Sequence, residues 1–113
     1  MSTPEGKIKA RVDRMLTQFG VWFFSPQAGP YGRAGIPDRI ACVDGQFVGI
    51  EVKADRTKKP TKLQVQCMQK IEASGGKCFV VFDETTLEEA RVYIAEVLGV
   101  SSGAGKSPSP KAK

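Results

Sequence analysis

The sequence predicts an α/β domain in the order αβββαβα, with helices flanking a mixed sheet. Three features point there: a helical apolar stripe near the N-terminus, an Asp44-Gly45 pair between two β-rich runs, and a strand, helix and strand in succession from Gln46 to Phe82. The Asp-Gly pair favours a two-residue type I′ hairpin and so antiparallel neighbours. The strand, helix and strand call for a right-handed crossover to a parallel neighbour.

Thr3 and Pro4 supply an N-cap and an N1 residue, after which Ile8, Val12, Met15, Leu16 and Phe19 recur at helical spacing until Gly20 stops the helix. Val21 to Phe24, aromatic and β-branched, forms a short first strand. The following loop, SPQAGPYGRAGIP from Ser25 to Pro37, is of a length that in a small domain points to function. Asp38 to Val43 and Gln46 to Lys53 are the hairpin arms. Thr61 opens a second helix bearing Leu63, Cys67, Met68 and Ile71, which ends at Gly75-Gly76. Lys77 to Phe82, KCFVVF, is so continuously apolar that a central strand buried on both faces is expected. A T-x-x-E spacing from Thr85 to Glu88 predicts the capping box of the last helix, which presents Leu87, Ala90, Ile94 and Val97 on one side. Residues 101–113 contain no large apolar side chain and are expected as a flexible basic tail after one domain spanning residues 1–100.

Composition narrows the chemistry. The chain has 17 Lys and Arg against 12 Asp and Glu, and three of the lysines lie in the tail, so the domain carries 14 against 12. Gathering several acids into one site leaves the remaining surface basic enough for a polyanion, although a basic protein without such a partner has the same total. Histidine is absent. That excludes Ser-His-Asp and Cys-His nucleophiles, His-ligated zinc and a His general base. Cys42, Cys67 and Cys78 are odd in number and form no C-x-x-C pair, and no apolar run marks a signal peptide or membrane span. A cytoplasmic setting with reduced thiols is expected, with no organic cofactor. Hydrolytic chemistry would rest on carboxylates, lysine and a hard cation.

The hairpin supplies a place for it. With Asp44 and Gly45 as the turn, Val43 faces Gln46, and counting outward pairs Ala41 with Val48, Arg39 with Ile50 and Asp38 with Glu51. Alternation puts Lys53 on the face of Glu51, while Val48, Ile50 and Val52 point the other way with Ala41 and Val43. Two carboxylates about 5 Å apart repel by roughly 3 kcal/mol at an effective dielectric near 20. A Mg²⁺ or Mn²⁺ ion offsets that repulsion, as hard divalent cations take carboxylate oxygens and complete their shell with water and phosphate. Lys53 alone would also neutralise the pair as an inert ion cluster. Glu5, at the edge of the inward face of the first helix, either joins the acids or complements the helix dipole.

Pro37-Asp38, twelve residues, then Glu51-Val52-Lys53 resembles the degenerate PD-(D/E)xK nuclease signature. The runs YGRAGIPD (Tyr31 to Asp38), FVGIEVK (Phe47 to Lys53), TKLQ and GGKCFVVF sharpen it to a resemblance to the VRR-NUC family, particularly its stand-alone phage and bacterial forms, over residues 3 to 98. The resemblance implies a restriction-endonuclease-like core. It also implies a metal held by Glu5, Asp38, Glu51 and the backbone carbonyl of Val52, with Lys53 orienting or deprotonating the attacking water. Gln64 matches the glutamine that family members carry at the start of the helix after the hairpin, but Thr61 and Gln64 form a T-x-x-Q capping box as well.

Arg56, Lys58, Lys59 and Lys62 follow the hairpin and suit contacts to DNA phosphates, or form a solvated basic loop. Arg33, with Tyr31 as a stacking group, lies beside Asp38 in the long loop. The activity implied is hydrolysis of DNA, with a four-way junction cut by a homodimer as the leading substrate. A flap, duplex or restriction endonuclease, a non-catalytic DNA-binding module and a protein-interaction domain are the alternatives.

Overall fold

A computed structural model describes residues 3–27 and 34–100 of the chain. Its elements are α1 (Pro4–Phe19), β1 (Trp22–Phe24), β2 (Arg39–Val43), β3 (Gln46–Val52), α2 (Lys62–Ala73), β4 (Lys77–Val81) and α3 (Glu84–Leu98). The strands form one sheet in the order β1-β2-β3-β4, antiparallel up to β3 and parallel between β3 and β4. This is the expected αβββαβα arrangement with a mixed sheet. The proposed tail, residues 101–113, lies outside the described residues, as do Tyr31 and Arg33.

Local chemistry sets these boundaries. Thr3 Oγ1 accepts from the Gly6 amide at 3.0 Å, and Gly20 closes α1 in the left-handed conformation. Asp44 and Gly45 both have positive φ, 51° and 86°, as a type I′ turn requires. The turn sets the register Arg39↔Ile50, Ala41↔Val48 and Val43↔Gln46, as counted from the sequence. One face of the sheet is then largely apolar, with Arg39 at its edge. Ala41, Val43, Val48, Ile50, Val52 and Val81 are buried there against Val12, Leu16 and Phe19 of α1 and Leu87, Ala90 and Ile94 of α3.

Two expectations are corrected, and α2 adds an observation the sequence did not address. β4 is an edge strand rather than a central one. Its apolar run reflects helices on both its faces: Phe79 stacks on Tyr93 of α3 at 5.4 Å, and the Cys78 side approaches Met68 of α2. The cap of α3 is Asp83, reciprocally bonded with Thr86, in place of Thr85 and Glu88. Asp83 has the extended backbone that an N-cap needs, and Glu88 instead pairs with Arg91 at 3.2 Å. Finally, the apolar stripe of α2 is only partly covered, with no residue of that helix buried and Leu63 55% exposed. α2 packs on β4 and leaves the same sheet face open over β1, β2 and the start of β3, where Trp22 is 67%, Phe24 44% and Phe47 46% exposed.

Candidate active site

On the face beneath the start of α2, the alternation of β3 brings Phe47, Gly49 and Glu51 to one side. Gly49 leaves a notch that seats Pro37, since a Cβ there would lie 2.9 Å from Pro37 Cγ. Pro37 is fully buried in it. Gly35, at φ 84°, brings the loop against the first turn of α2, where a side chain would meet the Leu63 carbonyl at 2.5 Å. Held at these two points, the loop delivers Asp38 to the end of β2. Its Oδ2 accepts from the Val52 amide at 2.8 Å, which bridges the two arms of the hairpin.

Glu51 is the only buried charged residue among those described, at 2% exposure. Its Oε2 accepts from Gln64 Nε2 at 2.7 Å and lies 3.4 Å from Lys53 Nζ. Its Oε1 is buried with no hydrogen-bond partner. Burial and the adjacent Asp38 charge raise its pKa to about 7, against the opposing pull of Lys53. Such an atom, in a site of fixed donors and two converging acids, is what a hard cation would satisfy. The Asp38 and Glu51 pair therefore fits Mg²⁺ or Mn²⁺.

Gln64 resolves the choice between cap and site, because one amide does both. Its Oε1 accepts from the Thr61 amide at 2.8 Å while its Nε2 reaches Glu51. The cap of α2 is thus also the clamp on one carboxylate oxygen.

Glu5 is placed differently from the reading in which it joins the acids. No group of three acidic or thiol side chains stands close enough to hold a metal among the described residues. Glu5 Oε2 instead pairs with Lys9 Nζ at 3.2 Å, and the same ammonium lies 3.5 Å from Asp38 Oδ1. Lys9 was not singled out from the sequence, although its i,i+4 spacing from Glu5 is a visible signal. Arg39 was also missed. Its guanidinium grips Asp13 of α1 at 2.6 and 3.1 Å, and donates to Ser25 Oγ at 3.0 Å and to the Asp38 carbonyl at 2.9 Å. It ties helix, loop and Asp38 together, and its alternation with Ala41 and Val43 places it on the α1 side.

Arg56, Lys58 and Lys59 are exposed on the segment joining β3 to α2, and Lys62 is exposed at the first position of α2. Asp55 shapes that segment by accepting from the Thr57 amide at 2.8 Å and, through its carbonyl, from the Lys58 amide at 3.1 Å. The four cations thus follow directly on the strand that carries Glu51. No described helix is long and apolar enough to cross a membrane, and the three cysteines form no disulfide.

No protein-family model and no curated protein matches the chain. A search of solved structures finds one described as "VRR_NUC domain", with a TM-score of 0.68 and 24% sequence identity, covering 78% of this chain and 94% of that one. The four-stranded mixed sheet and its flanking helices, with the Asp38 and Glu51 pair at the hairpin's open end, are therefore built on the fold of the VRR_NUC domain.

Proposed function

We propose that the chain is a VRR-NUC-type nuclease, a Mg²⁺- or Mn²⁺-dependent endonuclease that hydrolyses DNA phosphodiesters. The observation that carries this reading is the buried, unpartnered Oε1 of Glu51 beside Asp38 and Lys53. Asp38 and Glu51 would supply oxygen ligands to the ion, with the Val52 carbonyl and Glu5 as further ligands. A bound divalent ion would polarise the phosphate and make water more acidic.

The remaining work falls to the protein's own groups. Gln64 fixes Oε2 of Glu51, so that Oε1 faces the ligand position. The Lys53 ammonium orients the attacking water and faces the charge that grows on phosphate in the transition state. Arg56, Lys58, Lys59 and Lys62 neutralise phosphates on either side of the cut, releasing counterions. Arg33 would add to this from the loop. Each domain holds one such site, so paired incision of a four-way junction calls for a twofold homodimer. The open apolar face bearing Trp22, Phe24, Phe47 and Leu63 supports a second copy as its cover.

The test is incubation with Mg²⁺ or Mn²⁺ and a panel of duplex, flap, splayed and four-way DNA. Symmetric cutting of the four-way junction is expected, and Lys53→Ala is expected to slow it by about 10²- to 10⁴-fold while remaining folded. Cutting confined to flaps or duplexes would replace the junction with a repair or restriction substrate. Salt-dependent binding without cleavage of any member would make the domain a binding module.

A further inference from the structure

One cation of this chain stands at two of the carboxylates proposed to hold a metal. Lys9 Nζ sits 3.2 Å from Glu5 Oε2 and 3.5 Å from Asp38 Oδ1, so one ammonium serves two carboxylates from different parts of the fold. Lys9 and Glu5 are one turn apart on α1, with the acid on the N-terminal side, the better orientation for such a pair. Asp38 has little freedom to turn away. Its Oδ2 is held by the Val52 amide, and its backbone carbonyl is held by Arg39. Oδ1 is therefore the oxygen that Asp38 can offer a ligand, and it is the one facing Lys9.

Glu51 has a different set of partners, Lys53 and Gln64, and retains its unpartnered Oε1. Three carboxylates thus share two ammonium groups. The second of these, Lys9, is 32% exposed and stands on a flexible four-carbon stem, so it can swing to water without disturbing α1. Partial burial works against its charge, but the hydrogen bond to Glu5 and the charge of Asp38 outweigh burial, and its pKa is raised. It stays an ammonium.

We infer that Lys9 is the resident cation of the acidic cluster: it holds Glu5 against Asp38 until a divalent ion displaces it, and its charge sets how tightly the site takes that ion. This rests on the metal-dependent reading above. A hard ion on Asp38 Oδ1 needs a direct oxygen contact of about 2.0–2.1 Å for Mg²⁺, and it repels an ammonium at the same oxygen. Displacement would free Glu5 at the same moment, leaving its carboxylate available to the ion. The released ammonium remains at the rim of the site, where a DNA phosphate would offer it a new anion.

The test is Mn²⁺ binding without DNA, read from the electron paramagnetic resonance signal of the free ion, for the wild type, Lys9→Met and Lys9→Arg. Two partly exposed ion pairs are lost on displacement, so Lys9→Met should bind Mn²⁺ about 3- to 30-fold more tightly. Lys9→Arg, which keeps the charge, should restore the wild-type affinity. In EDTA the Met variant should melt below the wild type, and saturating Mn²⁺ should close the gap. Equal or weaker binding by Lys9→Met, beside a wild type that does bind, overturns the role of Lys9 and leaves the metal site standing. A wild type that binds no Mn²⁺ overturns both. Should Lys9→Met fail to fold, Lys9→Gln carries the same expectation.

Discussion

The two faces of this sheet are made from the same four strands, yet they are finished in opposite ways. Toward α1 and α3, alternate residues of β2 and β3 are apolar, buried and closed over. Toward α2, the same strands present Glu51 buried with an unpartnered oxygen at one end and bare aromatic rings at the other. Among the described residues, the first face leaves no buried polar side-chain atom without a partner. The second leaves a buried charge and an apolar surface unsatisfied, and those are the features a cation and a partner would complete. The buried apolar core lies on one side of the strands and the proposed site on the other, separated by a single residue step along β3.

Neighbouring substitutions on β3 test this division most sharply. Ile50 is fully buried on the apolar face, and Ile50→Ala should cost about 2–5 kcal/mol through lost transfer energy and the cavity left behind. Urea unfolding would show it as a lower midpoint at every pH. A change under about 1 kcal/mol would mean that the apolar face is not the main source of stability.

One residue on, Glu51→Gln should behave in the opposite sense in the metal-free protein. The folded chain raises the Glu51 pKa from its ordinary 4.5 to about 7, so it favours the protonated form. The sign follows from linkage: the stability of the protonated form is fully present below pH 4.5 and is lost as pH rises through 7. Glutamine mimics the neutral acid. In EDTA at pH 8 the variant should match or exceed the wild type by up to about 3 kcal/mol, with the difference vanishing near pH 4. Cleavage should be abolished throughout. Loss of stability at pH 8 would mean that Glu51 serves as a structural ion pair with Lys53.

How much of this was legible in the sequence depends on how local each signal is. A two-residue turn sets its own register, so the pairing out to Arg39 and Ile50, next to Asp38 and Glu51, could be counted before any coordinates. Gln64 was legible as a cap and as a site residue but not as both, because only the docking of α2 shows that the two ends of one amide are used separately. Arg39 and Asp13 are 26 residues apart, and nothing local connects them. The error over β4 has a physical source: an apolar run reports that both faces are covered but not whether strands lie on both edges. For α2, a helical stripe reads the same whether its neighbour is this chain or another. Asp83 was passed over as a cap because Thr85 and Glu88 offered a familiar spacing two residues later.

The smallest effect on stability is expected at the other end of the reactive face, and it bears on the homodimer. Phe47 shares its side of β3 with Glu51 but is 46% exposed, and its ring lines an apolar groove with Phe24, Ile40, Leu63 and Ile71. Phe47→Thr keeps a residue of high strand propensity and removes an exposed apolar surface, so the monomer should change by less than about 1 kcal/mol. If a second copy covers this groove, the same substitution removes a buried aromatic anchor from an interface, where one such residue can cost 2 kcal/mol or more, roughly a 30-fold loss of affinity. Sedimentation of the wild type and Phe47→Thr at equal concentration separates the two cases. A dimer that becomes a monomer of nearly unchanged melting temperature assigns the open face to self-association, whereas an unaltered dimer moves the twofold axis elsewhere on the molecule.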